Sequence, residues 1–388
     1  MATFDQSLQA RAIAPVNPAR FPKLAGGVRA ALNRTSRAAI ASVPDSTGAG
    51  WGAGVAIGTG AGANAGSGGN FSRAASMPQQ FAALLNAAGV PTRDDSIWGT
   101  GNPSPNTLAE FVNSQPGHVF GADWSVYAAQ SLGGSGFQAA TGTSSWTTRK
   151  WKYAADGFDI YYLTLNTLGT FTVSDASGTL ATVDTSVVVL PPGAGAGGFG
   201  KTTVMRDVAS KAPISIQRNG TGGNVIIQAI VPFDTTQPRL EIWNMGWAGS
   251  KTADWNPAAG GNGWKPNYAL KLIDQPVLWH LELGLNDQNT GVSAATYQTN
   301  LQAIANNLKA GGGDLIIGRP HRPYLDNASW LLSAAHVQAV ADVAAASGAT
   351  MVDYRALNLL QTDYFDVPHL TSAGYAKKAQ ALLTELLK

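Results

Sequence analysis

Short buried strands alternate with helices over the C-terminal part of this chain, and no other feature of the sequence constrains the fold as much. Apolar runs typical of strands are separated by longer stretches in which apolar residues recur at helical spacing. The strands cover residues 240–243, 277–282, 315–317 and 350–352, and helices at 294–309 and 333–346 separate the last three. A helix between two strands returns the chain across the sheet, so such strands pair in parallel. The sequence therefore predicts an α/β domain with a doubly wound parallel sheet.

A similar buried strand is predicted far upstream, at residues 38–43. Much of the sequence between this strand and the one at 240–243 has the pattern of an all-β domain. Short β-branched or aromatic runs are bounded there by Gly, Asn, Asp and Pro, as in antiparallel sandwiches. These runs cover residues 158–165, 170–174, 186–190, 214–217 and 225–231. We therefore expect an N-terminal arm at 1–35, a first part of the α/β domain at 36–120, an inserted β-sandwich at 121–236 and a second α/β part at 237–388.

Composition narrows the classes of function. Charged residues make up 13% of the chain, about half the roughly 25% that is typical, and no basic cluster with interleaved aromatics suggests nucleic-acid binding. No apolar run is long enough for a membrane span. The chain has no cysteine, and its five histidines never adopt metal-ligand spacing, so we expect neither metal nor cofactor. No signal-peptide pattern is visible; extracellular and virion-associated locations both remain open, as does the oligomeric state.

Two segments that follow predicted strands carry residues suited to serine chemistry. Pro44-Asp45-Ser46 comes directly after the strand at 38–43, which would place Ser46 at the carboxyl edge of the sheet, where α/β folds bind ligands. Residues 244–249, Asn-Met-Gly-Trp-Ala-Gly, follow another strand, and glycines there let backbone N–H groups approach a ligand. Each segment alone is equally typical of an ordinary turn.

Two further segments could complete such a site. In Gly284-Leu285-Asn286-Asp287 the asparagine amide is a neutral donor suited to an oxyanion, although an Asn-Asp pair also caps helices. In Asp366-Val367-Pro368-His369 an aspartate three residues before the histidine can reach Nδ1 of the imidazole, which leaves Nε2 facing outward as a base. A plain surface loop is the alternative for this last segment.

Taken together and in this order, the four segments resemble the signature blocks of SGNH (GDSL-type) serine hydrolases, over roughly 36–120 and 237–388. The resemblance implies a three-layer α/β/α hydrolase in which Ser46 is the nucleophile, His369 the base and Asp366 the residue that orients it. It also implies oxyanion donors from the N–H groups of Ser46 and Gly249 and the Asn286 side chain. Two departures are Pro44 in place of the family's glycine and the long gap between the first two blocks, which the β insertion accounts for.

The resemblance extends to carbohydrate-active O-acetylesterases, some of which are similar in carrying a β module. It implies removal of O-acetyl groups from a polysaccharide, with a lipid or short-chain carboxylesterase as the alternative enzyme. A glycan-binding or phage-tail-like module with a vestigial hydrolase is the alternative of another class. Trp51 and Trp247 could stack on a sugar ring or simply pack, and His321, after the strand at 315–317, could line the cleft.

A rival pattern lies inside the β region. Residues 195–202, Gly-Ala-Gly-Gly-Phe-Gly-Lys-Thr, fit the P-loop expression. A P-loop needs a helix after it to direct its dipole at phosphate, whereas residues 202–208 are β-branched and lack a helical face. We therefore interpret the segment as a glycine-rich loop between strands of the sandwich.

Overall fold

The computed structural model describes residues 16–53, 72–101, 107–190, 193–220, 222–256 and 262–388. None of the helices in these ranges is long and apolar enough to cross a bilayer. The strands are β1 (Ala38–Pro44), β2 (Thr92–Arg93), β3 (Ile97–Trp98), β4 (Val119–Phe120), β5 (Trp124–Ser131), β6 (Gly134–Ala139), β7 (Ser145–Thr147), β8 (Ala155–Thr164), β9 (Thr170–Asp175), β10 (Gly178–Asp184), β11 (Gly198–Ser210), β12 (Ser215–Asn219), β13 (Val225–Phe233), β14 (Leu240–Asn244), β15 (Leu278–Glu282), β16 (Asp314–Arg319) and β17 (Thr350–Asp353).

The helices are α1 (Pro22–Asn33), α2 (Ser46–Ala49), α3 (Met77–Ala87), α4 (Leu108–Ser114), α5 (Thr252–Trp255), α6 (Pro266–Ala269), α7 (Leu285–Asn289), α8 (Ala294–Ala310), α9 (Ala334–Ser347) and α10 (Ser372–Leu387). Single turns of 3₁₀ helix occur at Arg73–Ala75, Tyr324–Asp326, Tyr354–Ala356 and Gln361–Asp363.

Six strands form the predicted parallel sheet, in the order β17-β16-β15-β1-β14-β2. Strand β1 lies between β14 and β15 and runs parallel to both; Ser42 pairs with Asn244 on one side and with His280 on the other. Because the strands are parallel, the segments that follow β1, β14 and β15 all leave from one edge of the sheet. Ser46, Gly249 and Asn286 each lie a few residues beyond one of these strand ends.

Helices cover both faces of this sheet, because alternate residues of a buried strand point to opposite sides. Ala41 and Val43 of β1 belong to an apolar cluster that includes α8 and α9. Ile40 belongs to a second cluster, which includes α1, α3 and α10. Strand β1 is therefore buried on both faces, as the largely apolar run at 38–43 predicts.

The strands from β3 to β13 form two antiparallel sheets, one in the order β10-β9-β12-β7-β4 and the other in the order β11-β8-β13-β6-β5 with β3 beside β13. Phe158 and Ile160 of β8 share one buried cluster with Phe171 and Val173 of β9. The apolar faces of the two sheets therefore pack against each other.

Two predictions for this region are wrong. Residues 186–190 form no strand, and the segment expected to be a glycine-rich loop begins the 13-residue strand β11. Gly198 to Met205 pair continuously with β8, so the phosphate-cradling helix of a P-loop is absent at residues 201–210. The ladder with β8 supplies hydrogen bonds to a glycine-rich stretch whose own residues favour a loop.

The predicted N-terminal arm is also wrong for residues 22–33, which form helix α1; residues 1–15 lie outside the described part of the chain. Leu24, Val28 and Ala31 recur at helical spacing and are buried against the sheet. The backbone N–H of Leu24 donates to Oδ2 of Asp314 at 2.8 Å, which fixes the start of the helix on β16.

Apolar and ionic contacts join the antiparallel sheets to the parallel sheet. Tyr161 and Phe199 belong to the same buried cluster as Trp243 of β14. Arg37, just before β1, donates to Glu241 of β14 at 2.8 Å and forms an ion pair with Asp159 of β8 at 2.8 Å. One guanidinium thus binds both parts of the chain.

Candidate active site

A one-turn helix after β1 presents Ser46. Asp45 caps this turn, because its Oδ1 accepts hydrogen bonds from the Thr47 backbone N–H at 2.8 Å and from the Thr47 hydroxyl at 2.7 Å. Burial raises the pKa of the Asp45 carboxyl, and the hydrogen bonds from Thr47 oppose that shift. Asp45 therefore has a structural role, and the hydroxyl of Ser46 stays available.

Pro44 is accommodated by the absence of a side chain at Gly48. A Cβ on Gly48 would lie 2.4 Å from Cβ of Pro44, so the proline ring occupies the space of a side chain one turn ahead. The carbonyl of Pro44 accepts from the Trp247 backbone N–H at 3.0 Å. Proline is tolerated at this strand end because the turn carries a matching glycine.

Ser46, His369 and Asp366 form one hydrogen-bonded chain. Ser46 Oγ lies 2.9 Å from His369 Nε2, and His369 Nδ1 lies 2.8 Å from each carboxylate oxygen of Asp366. A carboxylate only accepts hydrogen bonds, so Nδ1 carries the proton and Nε2 is free to accept from the serine. In this arrangement an imidazole can take the proton of a serine that attacks a carbonyl carbon.

Backbone contacts fix the loop that carries the histidine. The His369 N–H donates to Asp366 Oδ1 at 2.9 Å, and the Phe365 N–H donates to the His369 carbonyl at 2.9 Å. The Tyr324 N–H, after β16, donates to the Val367 carbonyl at 2.8 Å. The imidazole is therefore held by a tight turn that is tied to a neighbouring strand end.

His321 and Trp247 are both buried, which contradicts the expectation that His321 lines the cleft and agrees with the packing alternative for Trp247. His321 is completely buried, and its Nε2 donates to the Pro368 carbonyl at 2.9 Å. Burial lowers the pKa of His321 well below its usual value, which keeps the ring neutral. Trp247 is buried beside Trp255, with ring centroids 6.1 Å apart. Both were predicted from strand-end position alone, which does not report burial.

Trp51 lies next to the histidine. Its ring centroid is 6.1 Å from that of His369 at an interplanar angle of 46°, and its side chain is only partly buried. The hydroxyl of Tyr375 donates to the Trp51 carbonyl, which ties this residue to α10. Of the three aromatic residues predicted to contact substrate, Trp51 is the one that the structure places beside the hydrogen-bonded chain.

The segment after β14 lies between the Ser46 turn and Asn286. Gly249 has φ +75°, a left-handed conformation that favours glycine, whereas the Gly246 N–H is engaged by Asn244 Oδ1 at 3.0 Å. The Asn286 amide donates to the Ser250 carbonyl at 3.1 Å. Within the described residues no hydrogen bond engages the N–H groups of Ser46 or Gly249.

Asp287 secures this arrangement, a role that its sequence position did not reveal. Its carboxylate accepts from the Thr252 N–H at 3.1 Å and from the Thr252 hydroxyl at 2.6 Å. Burial raises the pKa of Asp287 to about 6, although the Thr252 hydrogen bonds oppose the shift. The adjacent residues Asn286 and Asp287 thus hold Ser250 and Thr252, just beyond Gly249.

A buried ion pair beneath the Ser46 turn also escaped the sequence analysis. Lys378 Nζ lies 2.6 Å from Glu282 Oε1, both side chains are inaccessible to solvent, and the same Nζ contacts the Thr47 carbonyl at 3.4 Å. Burial raises the pKa of Glu282, and Lys378 opposes the shift. The sequence did contain an indication of this buried lysine: Lys378 lies at helical spacing from Tyr375 and Leu382, on the apolar face of α10.

Replacing Lys378 with methionine is expected to lower the free energy of unfolding by about 3–5 kcal/mol, because an uncompensated carboxylate would remain buried. Denaturant unfolding followed by circular dichroism measures the change. Lys377→Met is the matched control: its partly exposed ion pair with Asp363 should contribute about 1 kcal/mol or less. Equal destabilisation by the two variants would contradict the assignment.

Within the described ranges, no group of three or more His, Cys, Asp or Glu side chains is arranged to hold a metal ion. His280, the one histidine inside a strand of the parallel sheet, contacts Ser42 Oγ at 2.9 Å and the Tyr354 hydroxyl at 3.0 Å. Burial lowers the pKa of His280 to about 3. It is a neutral core histidine with both ring nitrogens engaged.

No protein-family model and no curated protein matches the sequence. Among solved structures, the YxiM protein of Bacillus subtilis is 13% identical with a TM-score of 0.35, over 76% of this chain and 97% of that one. A family two carbohydrate esterase from Clostridium thermocellum, solved with cellohexaose, is 11% identical with a TM-score of 0.31, over 70% and 98%. The acetylxylan esterase Axe2 of Geobacillus stearothermophilus is 16% identical with a TM-score of 0.31, over 37% and 73%. At such scores the likenesses carry no argument about activity, which has to come from the site itself.

Proposed function

We propose that this protein is a serine esterase of the SGNH type, in which Ser46 is the nucleophile, His369 the general base and Asp366 the residue that orients the base. The observation that carries the proposal is the continuous hydrogen-bonded chain from Ser46 Oγ through both ring nitrogens of His369 to the Asp366 carboxylate. Three residues that lie up to 323 positions apart in the chain converge in it. Ser46 is largely buried, whereas His369 and Asp366 are 13% and 28% exposed, so water can reach the base.

The proposed reaction has two halves. Ser46 Oγ attacks the ester carbonyl carbon while His369 Nε2 takes the hydroxyl proton; the tetrahedral intermediate collapses, and the leaving alcohol takes that proton from His369. Water then attacks the acyl-enzyme with His369 again as base. The second collapse releases the carboxylic acid and restores the Ser46 hydroxyl.

The proposed oxyanion donors are the backbone N–H groups of Ser46 and Gly249 and the amide of Asn286. The support is that both N–H groups are without a partner among the described residues, and that Asn286 spends one amide hydrogen on Ser250, leaving the other available. The same bond to Ser250 orients the amide. Preorganised donors of this kind stabilise charge that develops during the reaction.

Asn286→Ala is therefore expected to lower kcat for a p-nitrophenyl ester by about 10²- to 10³-fold with little change in KM, because the donor acts on the transition state. The matched control is Asn306→Ala, an exposed asparagine on α8 whose Oδ1 accepts from the Gln302 amide at 2.8 Å. An unchanged kcat in a folded Asn286 variant would remove this residue from the proposed oxyanion site.

The proposed substrate is an O-acetylated polysaccharide. A chain with 13% charged residues has a surface suited to neutral partners, and Trp51 offers a partly exposed ring next to His369 on which a sugar could stack. We further propose that residues 121–236 are a β-sandwich module inserted into a hydrolase made of 36–120 and 237–388. The apolar cluster shared by the two antiparallel sheets supports an inserted module, and because it includes Ile97 and Phe111, the module also takes in residues upstream of 121.

The test is acetate release from a panel of acetylated polysaccharides, alongside p-nitrophenyl acetate and longer p-nitrophenyl esters. The proposal expects acetate from at least one polymer and a preference for the acetyl ester. Faster turnover of long-chain esters with none of the polymers would favour a lipid esterase. A folded protein that retains glycan without releasing acid from any ester would be a binding module, and the esterase proposal would be wrong.

A further inference from the structure

A cavity of about 200 Å³ lies where the α/β part meets the antiparallel sheets. Its walls come from the turn before α3, the segment that follows β2, the end of α4 and the segment that follows β7. Four of the side chains that line it are cationic, namely Arg73, Arg149, Lys150 and Lys152. None of the residues that line the cavity takes part in the proposed esterase mechanism.

The two carboxylates in the lining are already neutralised by other groups. Asp95 accepts from Arg93 Nε at 2.8 Å through one oxygen and from the Lys152 backbone N–H at 2.8 Å through the other. Asp94 forms an ion pair with Lys152 Nζ at 3.0 Å. Neither carboxylate forms an ion pair with Arg73 in the described part of the chain. With Asp94 paired to Lys152 and Asp95 paired to Arg93, the other three cations of the lining, Arg73, Arg149 and Lys150, form no ion pair within the described residues.

Several donors in the lining are buried with no hydrogen-bond partner. Arg73 is 3% exposed; its Nη1 donates to the Asn244 carbonyl at 3.0 Å, whereas Nε and Nη2 have no partner. Nε of Arg149, Nε2 of Gln115 and Oγ of Ser96 also have none. Buried polar atoms in folded proteins are nearly always bonded. Such a concentration of unsatisfied donors at one cavity therefore points to a ligand that only accepts.

The electrostatics agree with that reading. Burial, and to a smaller extent the nearby Arg149 guanidinium, lowers the pKa of Arg73 to about 9. Two guanidiniums held close together in a buried place repel each other unless an anion lies between them. Arginine also offers a planar set of N–H donors that matches the oxygens of phosphate or sulfate.

We propose that this cavity binds a compact, doubly charged oxyanion, a phosphate or sulfate group, between Arg73 and Arg149. The three lining cations without an ion-pair partner favour a doubly charged group over a single carboxylate. Ser96 and Gln115 supply further donors, and Lys150 adds charge at the rim. The group is either a free inorganic ion or the terminal group of a monoester. The site is separate from Ser46 and does not depend on the esterase proposal.

Isothermal titration with inorganic phosphate and sulfate, at ionic strength held constant with sodium chloride, tests the site. Saturable binding is expected, and Arg149→Gln should weaken it about ten- to a hundredfold through loss of a charged donor. Arg29→Gln, an exposed arginine on α1, removes the same charge elsewhere and should leave the affinity unchanged. Absence of saturable binding of either ion at millimolar concentration, or equal affinity of Arg149→Gln and the parent, would overturn the proposal.

A second variant guards against loss of folding. Lys150 is exposed, so Lys150→Gln should fold and still weaken binding severalfold. If Arg149→Gln does not fold, an unchanged affinity of Lys150→Gln overturns the site. A sugar phosphate titrated beside inorganic phosphate separates the two sources. Tighter binding of the monoester assigns a terminal group on a larger ligand, and tighter binding of inorganic phosphate assigns a free ion.

Discussion

Ser46→Ala is expected to lower the turnover of p-nitrophenyl acetate by about 10⁴- to 10⁶-fold, since removal of a nucleophile disables every step that depends on it. The fold should survive the change. The capping bonds of the turn run from Thr47 to Asp45, and the Ser46 hydroxyl hydrogen-bonds with His369. Steady-state kinetics and circular dichroism on the same preparation measure both outcomes.

Ser42→Ala is the matched control for that variant. Ser42 is a buried serine on the same strand, its hydroxyl contacts His280 at 2.9 Å, and it has no contact with His369 in the described structure. Its replacement should leave turnover within a few-fold of the parent. Parent-like activity in a folded Ser46→Ala protein would refute the central assignment.

His369→Ala should be about as damaging as Ser46→Ala, because a nucleophile and its base act as a unit. The Ser46→Ala/His369→Ala double variant should therefore be no slower than either single variant. Added imidazole should restore part of the activity of His369→Ala and none of that of Ser46→Ala, because only the first variant retains a nucleophile.

His336→Ala provides the control for a general loss of histidine. His336, in the first turn of α9, contacts Ser333 Oγ at 2.8 Å. It also contacts the carbonyl of Val292, which lies between α7 and α8, at 3.0 Å. Parent-like turnover of His369→Ala from pH 6 to pH 9 would show that another group is the base.

Local patterns identified the parallel sheet well, because its strands are buried on both faces and its helices have defined starts. The run predicted at 277–282 is Leu278–Glu282, and the helix predicted at 294–309 is Ala294–Ala310, which begins where the Ser293 hydroxyl caps it. Apolar runs and helix caps depend on residues that are close together in the chain, so they can be predicted from the sequence alone.

Other elements depended on distant partners. Strand β11 is formed by pairing with β8, and no periodicity in its glycine-rich start predicts it. Helix α1 contains two adjacent glycines, which weaken its helical signal, and burial against the sheet stabilises it.

At the site, the resemblance of four segments to the signature blocks of a known family implied that Ser46, His369 and Asp366 meet, and hydrogen bonds join these three residues. Burial at this edge of the parallel sheet was not predictable. His321 and Trp247 have suitable positions in sequence, yet the structure buries both. The Lys378–Glu282 pair joins a helix and a strand that are 96 residues apart, and no local pattern records such a contact.

The apolar cluster that joins Tyr161 and Phe199 to Trp243 also limits how this architecture can be rearranged. A sandwich that is joined to its neighbour only by a solvated linker could be transferred to another protein, and each domain would keep its own stability. Here, moving the antiparallel sheets to another protein would remove side chains from the core that they share with the parallel sheet. The apolar surface exposed in this way would need new partners. The antiparallel sheets and the parallel sheet therefore have to change together during evolution. Recombination at their borders is a poor route to new specificity.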